Sequence, residues 1–435
     1  MGTAGRECAE TDLTPRQHES SPYRKLKVEP VFDAAEIRHL RNPRFATDDN
    51  CPSELAGIMD PELIAEAQHE IMRWPGYAPT PLHTLAALAR EAGVAGIHYK
   101  DEGGRFEPGS FKALGGAYAV QQLLRQEIGA RLSRNVSLED VRERRYPDQA
   151  REVTVATATD GNHGRSVAWG AARFGCSCVI YIHREVSEGR REAMEAYGAR
   201  VVRVDGNYDD SVRQAQADAA TSGWFIVSDT SYSGYTTLPR YVMAGYTVMM
   251  KEVLAQFPAG HVPTHIVLQG GCGGLAAAVS VYLWQTLGAR RPRLIVVEPV
   301  QADCLYRSIA SGRRTDVVIS EESLMAGLSC GEVSTLAWTA VQQAVTDFVT
   351  MNDDLVAPTM RLLARGGQDG PPIVAGESAV PGVAVILAAS GRQDLRQALG
   401  LLPTSEILVL GTEGATDPRI YQELVGMASG AEAAG

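Results

Sequence analysis

A lysine in the first turn of a helix is electrostatically out of place, because the partial positive charge of that end favours anions. The segment Gly109-Ser110-Phe111-Lys112 puts one there, at the head of a helix expected over 111–126. Such lysines are usually solvated. This one follows Phe111 and precedes Ala113-Leu114-Gly115-Gly116. An amine in so dry and electropositive a place has a lowered pKa, which Schiff-base chemistry requires.

Two further clusters carry chemistry. Thr159-Asp160-Gly161-Asn162-His163-Gly164 concentrates polar groups in one strand-to-helix turn. Asn162 has the type to cap the following helix and still donate to a phenolic oxygen. Asp160 reads as a proton carrier or as an Asx-turn residue. His163 reads as a packing or hydrogen-bonding residue ahead of a catalytic one. The other cluster is Gln269-Gly270-Gly271-Cys272-Gly273-Gly274, between a strand and a helix. Its glycines let backbone approach a ligand and leave N–H groups pointing outward, and the helix amino end adds positive charge. That suits a phosphate dianion. The spacing is neither G-x-G-x-x-G nor a Walker loop, which argues against a nucleotide. The alternative is a tight turn that binds nothing.

The elements that must position these groups follow from periodicity. Short apolar runs at 97–100, 153–157, 178–182, 200–204, 224–227, 265–268, 294–297 and 407–410 alternate with helical segments. Continuous rather than alternating apolar strands indicate an α/β fold of mainly parallel twisted sheets flanked by helices. Ligands in such folds sit beyond the carboxyl ends of the strands. That rule selects 103–112, 159–164, 229–235, 270–274 and 412–417. Helical spacing begins near Pro61, and Thr84 is expected to cap a helix running to Ala92.

The 435 residues suggest about two domains. Forty-one basic against 52 acidic side chains give a net charge of -11, with no basic cluster for nucleic acid. No apolar stretch reaches the roughly 20 residues of a membrane span, and residues 1–24 lack a signal-peptide core. A cytoplasmic protein without nucleic-acid or membrane partners is expected. Seven scattered cysteines show no paired C-x-x-C spacing, and the histidines form no ligand pair, so no metal site is expected.

In combination, Ser110-Phe111-Lys112, then Gly161-Asn162-His163-Gly164, then Gly270–Gly274 resemble the fold-type II pyridoxal-phosphate enzymes, the family of tryptophan synthase β subunit, threonine dehydratase and cysteine synthase. Thr159-Asp160-Gly161-Asn162-His163-Gly164-Arg165 with Met325-Ala326-Gly327-Leu328-Ser329-Cys330-Gly331-Glu332 is similar to its diaminopropionate ammonia-lyase branch, as are Thr412-Glu413-Gly414 and Gly376-Glu377-Ser378. The glycine loop and Pro108-Gly109-Ser110 depart from that branch toward the wider family, and the stretch 376–382 departs from it by Pro381 and by lacking a glycine after Ser378.

The resemblance implies two domains, a large cofactor domain over 39–115 and 247–435 and a small one over 116–246, behind a flexible extension over 1–38. It implies pyridoxal 5'-phosphate held on Lys112. Asn162 would meet its phenolic oxygen, Gly270, Gly271, Cys272, Gly273 and Gly274 its phosphate, and Thr412 its ring nitrogen. Thr412 is otherwise a strand-end cap. Lys112 and Asp160 become bases for opposite isomers of a small amino-acid substrate, with Asp229 binding its distal ammonium. Elimination of ammonia from 2,3-diaminopropionate is the expected reaction. A serine/threonine dehydratase or a β-replacing synthase is the alternative, and a homodimer the expected assembly.

Overall fold

The computed structural model describes residues 30–159, 161–366 and 370–426. Among them, eleven strands form two sheets. They are β1 (Ile37–Arg41), β2 (Leu82–Thr84), β3 (Gly96–Asp101), β4 (Thr154–Ala158), β5 (Ser177–Ile182), β6 (Arg200–Arg203), β7 (Phe225–Ile226), β8 (His265–Gln269), β9 (Arg293–Pro299), β10 (Asp347–Met351) and β11 (Glu406–Gly411). The larger sheet runs β1-β10-β9-β8-β11-β3-β2, the smaller β6-β5-β4-β7. Every pairing is parallel except the two outer ones of the larger sheet, β1 on β10 and β2 on β3. The fold class is therefore the α/β arrangement read from the sequence. In β8, all five residues from His265 to Gln269 are buried, as a parallel strand covered on both faces requires.

The small lobe is contiguous in sequence, whereas the large lobe draws strands from both sides of it. Between them runs the Lys112–Leu132 helix, which ends six residues beyond the expected 126, packed on the Asn162–Phe174 and Thr237–Gln256 helices. Close approach explains a glycine on this helix and one on its Asn162–Phe174 neighbour. A Cβ on Gly115 would lie 2.5 Å from Tyr246 Cε1, and one on Gly170 would lie 2.7 Å from Ala117 Cα. Any larger residue would push the helices apart and shift the lysine at its head.

Two expectations are corrected here. The extension drawn over 1–38 reaches too far, because Val31–Ala34 is helical and β1 begins at Ile37. Only Ile37 of β1 is buried, so no apolar run marks it. The edge is fastened instead by charge on β10, where Asp347 accepts from His39 at 2.8 Å and from Arg293 at 2.6 Å. Thr84 ends β2, and the next helix, Ala86–Ala92, starts from Leu85 without a side-chain cap. The remainder of the extension, residues 367–369 of the polar loop and the chain end from 427 lie outside the described residues.

Candidate active site

A cavity opens where β4, β8 and β11 end, lined by Ala158, Gln269 and Thr412 beside the first turns of two helices. This is where parallel sheets place ligands. Lys112, Asn162, Asp229, Gly270, Gly271, Cys272, Gly274 and Thr412 all line it. Gly273 does not. Its φ of 93° starts the Gly274–Leu287 helix, and a Cβ there would meet Ala337 Cβ at 3.0 Å and Leu305 Cδ2 at 3.1 Å. Asp160 lies outside the described residues, while its neighbours Thr159 and Gly161 line the cavity.

Lys112 Nζ is ion-paired with Asp229 Oδ2, and the Phe111 and Tyr246 rings flank it at 5.5 and 5.9 Å. Burial works against the ammonium, but Asp229, with Tyr246 and Cys272 adding to it, holds the Lys112 pKa well above the usual range. The lowered pKa read from the sequence is thus reversed by a partner 117 positions away. Burial likewise opposes ionisation of Asp229, and the neighbouring His163 and the paired Lys112 outweigh it, keeping that carboxyl below the usual range.

His163 is the hydrogen-bonding residue expected. Its Nε2 lies 2.9 Å from Val227 O and its Nδ1 3.8 Å from Asp229 Oδ2. Burial first, and Lys112 as well, lower its pKa against the pull of Asp229, so the ring is neutral at pH 7 and Nε2 carries the proton. Asn162 does not cap its helix. Thr159 Oγ1 does that work, accepting from Gly161 N and Gly164 N at 3.1 Å each. The Asn162 amide donates across the cavity to Glu413 Oε2. Burial, with Glu377 beside it, pushes the Glu413 carboxyl up to about 7.

In the glycine loop, Gly270 N donates to Val297 O at 2.9 Å and Gly271 adopts φ 61°. Its cavity face presents backbone at the amino end of a 14-residue helix. A hydrogen bond from Cys330 brings the Cys272 thiol down to about 7 against burial. Thr412 Oγ1 donates to Ser378 O at 3.2 Å.

Pyridoxal phosphate fits this donor set. A lysine amine, a helix amino end with glycine backbone, an amide and a hydroxyl face one space. His163 and Gln269 line it, and each keeps one buried polar atom, Nδ1 and Oε1, without a hydrogen-bond partner among the described residues. Tyr246, Gln269, Ser378 and Glu413 also line the cavity and received no role from the sequence. Ser378 and Glu413 stand inside quoted motifs, which was the available signal. Tyr246 lies mid-helix and offered none.

Comparison with known proteins agrees with this geometry. The family model described as "Pyridoxal-phosphate dependent enzyme" matches residues 73–403. Diaminopropionate ammonia-lyase of Escherichia coli (strain K12) is 39% identical over 372 residues, covering 83% of this chain and 92% of its own. The Escherichia coli enzyme in complex with D-serine superposes with a TM-score of 0.82 at 36% identity, covering 90% of this chain and 97% of that one. Its complex with the aminoacrylate-PLP azomethine reaction intermediate gives 0.80 over the same shares. This chain belongs to the pyridoxal-phosphate-dependent enzymes, in the diaminopropionate ammonia-lyase family.

Proposed function

We propose that the protein removes ammonia from 2,3-diaminopropionate by α,β-elimination, with hydrolysis giving pyruvate and a second ammonia. Pyridoxal phosphate, when bound, supplies the electron sink that acidifies the Cα proton and lets the β-amino group depart. The chain would hold it through Lys112, through backbone N–H groups of Gly271, Cys272 and Gly274 (that of Gly270, expected to join them, is taken by Val297 O), through the Asn162 amide at the ring hydroxyl, and through the Thr412 hydroxyl at the ring nitrogen. Lys112, once released, takes the Cα proton of the L isomer. Asp160 takes that of the D isomer from the opposite face.

One observation carries the substrate reading. Asp229, inside the cavity, already holds an alkylammonium, that of Lys112. A carboxylate so placed selects a β-amine over a β-hydroxyl, because a charge-assisted hydrogen bond is the stronger. His163, neutral and fixed to Val227 O, keeps the far side of Asp229 polar without competing for its charge. The homodimer, the cytoplasmic location and the division into domains over 116–246 and over 39–115 with 247–435 belong to the same reading.

The test is a side-by-side assay of both isomers of diaminopropionate, serine and threonine, on wild type and Asp160→Asn. Keto acid is expected chiefly from diaminopropionate. Asp160→Asn should lose roughly a hundredfold or more on the D isomer, the scale of a general base, and retain much of the L activity. Keto acid from the hydroxy amino acids alone would transfer the protein to the dehydratases. Equal losses on both isomers would make Asp160 a binding group instead.

A further inference from the structure

The Asn162 side chain is held by the opposite lobe. Asn162 begins the Asn162–Phe174 helix of the small lobe, and the carboxylate that takes its amide, Glu413, follows β11 in the large lobe. Glu413 is 3% exposed and has little freedom. Its Oε1 accepts from Ser378 N at 2.9 Å. Gly376 N donates to its backbone carbonyl at 3.1 Å, and a Cβ on Gly376 would lie 2.8 Å from Oε1 and 2.9 Å from Cγ. The carboxylate is therefore wedged against backbone on one side, with its second oxygen left for the amide.

The surrounding seam is fastened in the same sense. Arg190 of the small lobe pairs with Glu377 at 2.6 Å, and Ser187 Oγ donates to Asp417 Oδ2 at 2.6 Å. The aliphatic part of Arg190 lies over Gly161, 3.4 Å from where its Cβ would be. The small lobe is thus tied to the large lobe at these three points, one of them on the turn carrying Asn162 and two on the neighbouring Glu188–Glu195 helix and its cap. Only one of them, Glu413, faces the cavity floor beside Thr412.

We infer that Glu413 is a positioning residue: by fixing one N–H of the Asn162 amide, it sets how the Asn162 side chain meets the ring hydroxyl of pyridoxal phosphate. This rests on the reading that the cofactor is carried on Lys112. Above pH 7, where its raised pKa leaves it ionised, the Glu413 carboxylate can only accept. In that form it dictates that Asn162 turns its nitrogen inward, whereas an amide in its place would permit either orientation.

The experiment is the pH titration of the visible absorption of the purified holoenzyme, with Glu413→Gln, Glu413→Asp and Asn162→Ala and the Glu413→Gln/Asn162→Ala double variant, each melted thermally to verify folding. In Glu413→Gln the band should move and its pH midpoint shift by roughly one unit, the scale of one lost hydrogen bond to an ionised oxygen. Glu413→Asp, which keeps the charge, should recover part of the shift. Against an Asn162→Ala background the Gln substitution should add nothing, since the two act through one contact. A wild type without a Lys112-dependent visible band would refute the cofactor reading itself. A normal band that Glu413→Gln leaves in place, or shifts additively with Asn162→Ala, would overturn the role of Glu413 alone.

Discussion

Two lysines only twelve positions apart are both withdrawn from solvent, and they live in opposite circumstances. Lys100, fully buried on β3, meets Thr80 O at 2.8 Å, Glu252 Oε2 at 2.7 Å and Gln256 Oε1 at 3.0 Å. All three of its donors are spent. Around it Arg105 bonds Glu102, Glu252 and Thr80, closing a network that reaches from the small turn at 79–81 to the Thr237–Gln256 helix. Lys112 has one anionic partner, Asp229, and faces a cavity. Burial lowers the Lys100 pKa while that of Lys112 is held up. The direction of the shift would thus nominate the wrong residue for amine chemistry. What sets Lys112, the lysine proposed to carry the cofactor, apart is a single anionic partner next to open space.

The largest effects test that contrast directly. Lys112→Ala should cut turnover by at least about 10⁴-fold and abolish the visible band of the bound cofactor, with little change in melting. Lys100→Met should do the reverse. Leaving Glu252 short of a buried partner costs about 3–5 kcal/mol, read as lower resistance to urea, while the folded fraction keeps its turnover per bound cofactor. If Lys100→Met removes the visible band from folded protein, the contrast collapses.

A smaller effect belongs to Asp229→Asn, which sharpens the same point. Removing the charge should raise KM for diaminopropionate by roughly 10- to 100-fold, the value of a charge-assisted hydrogen bond. Any activity on serine should fall less, since a hydroxyl never used that charge. An equal loss on both substrates would mean that Asp229 serves Lys112 only.

The smallest effect concerns two acids treated differently by the same rule. Glu252 has two cations and its pKa is lowered despite burial. Glu298, against Gly270, has no cation, only the N–H groups of Leu305 and Tyr306 at 2.9 and 2.8 Å and the Cys304 thiol at 3.9 Å, and burial raises it to about 8. Between the ordinary carboxyl range and pH 8 the folded chain therefore binds a proton that the unfolded chain has released. Stability from this group is full at low pH and declines as pH rises toward 8. Glu298→Gln should flatten that decline in melting temperature, by about 1–2 °C across pH 6 to 8.5. A slope identical to wild type would show that Glu298 does not titrate there.

What the sequence made legible was local. Lys112, Asn162, the glycine loop and Thr412 each stand just past a strand, in turns whose composition has no other economical use, and the structure gathers them around one cavity. Relations over long separations were hidden. The Asp229 partnership that reverses the Lys112 pKa spans 117 positions, and the Asn162–Glu413 bond spans 251. β1 escaped because an edge strand with one buried residue carries no period, its register being fixed by pairing with β10 instead. Gly273 differs from its neighbours for a related reason. Four glycines in five positions look alike in sequence, and only the backbone shows that Gly273 turns the chain while the other three line the cavity.

The register of β3 carries a consequence for how the chain is made. Gly96 to Asp101 lie opposite Glu406 to Gly411 on one side and, on the other, only the three-residue β2. As the polypeptide leaves the ribosome, Ile97 and Tyr99 emerge long before their principal neighbour exists. The small lobe, with β4 to β7 all between 154 and 226, emerges as one uninterrupted stretch and can close first. The strand leading to Lys112 thus stays an open edge until almost the whole chain has been synthesised, and truncation ahead of β11 leaves it the exposed, aggregation-prone border of an unfinished sheet.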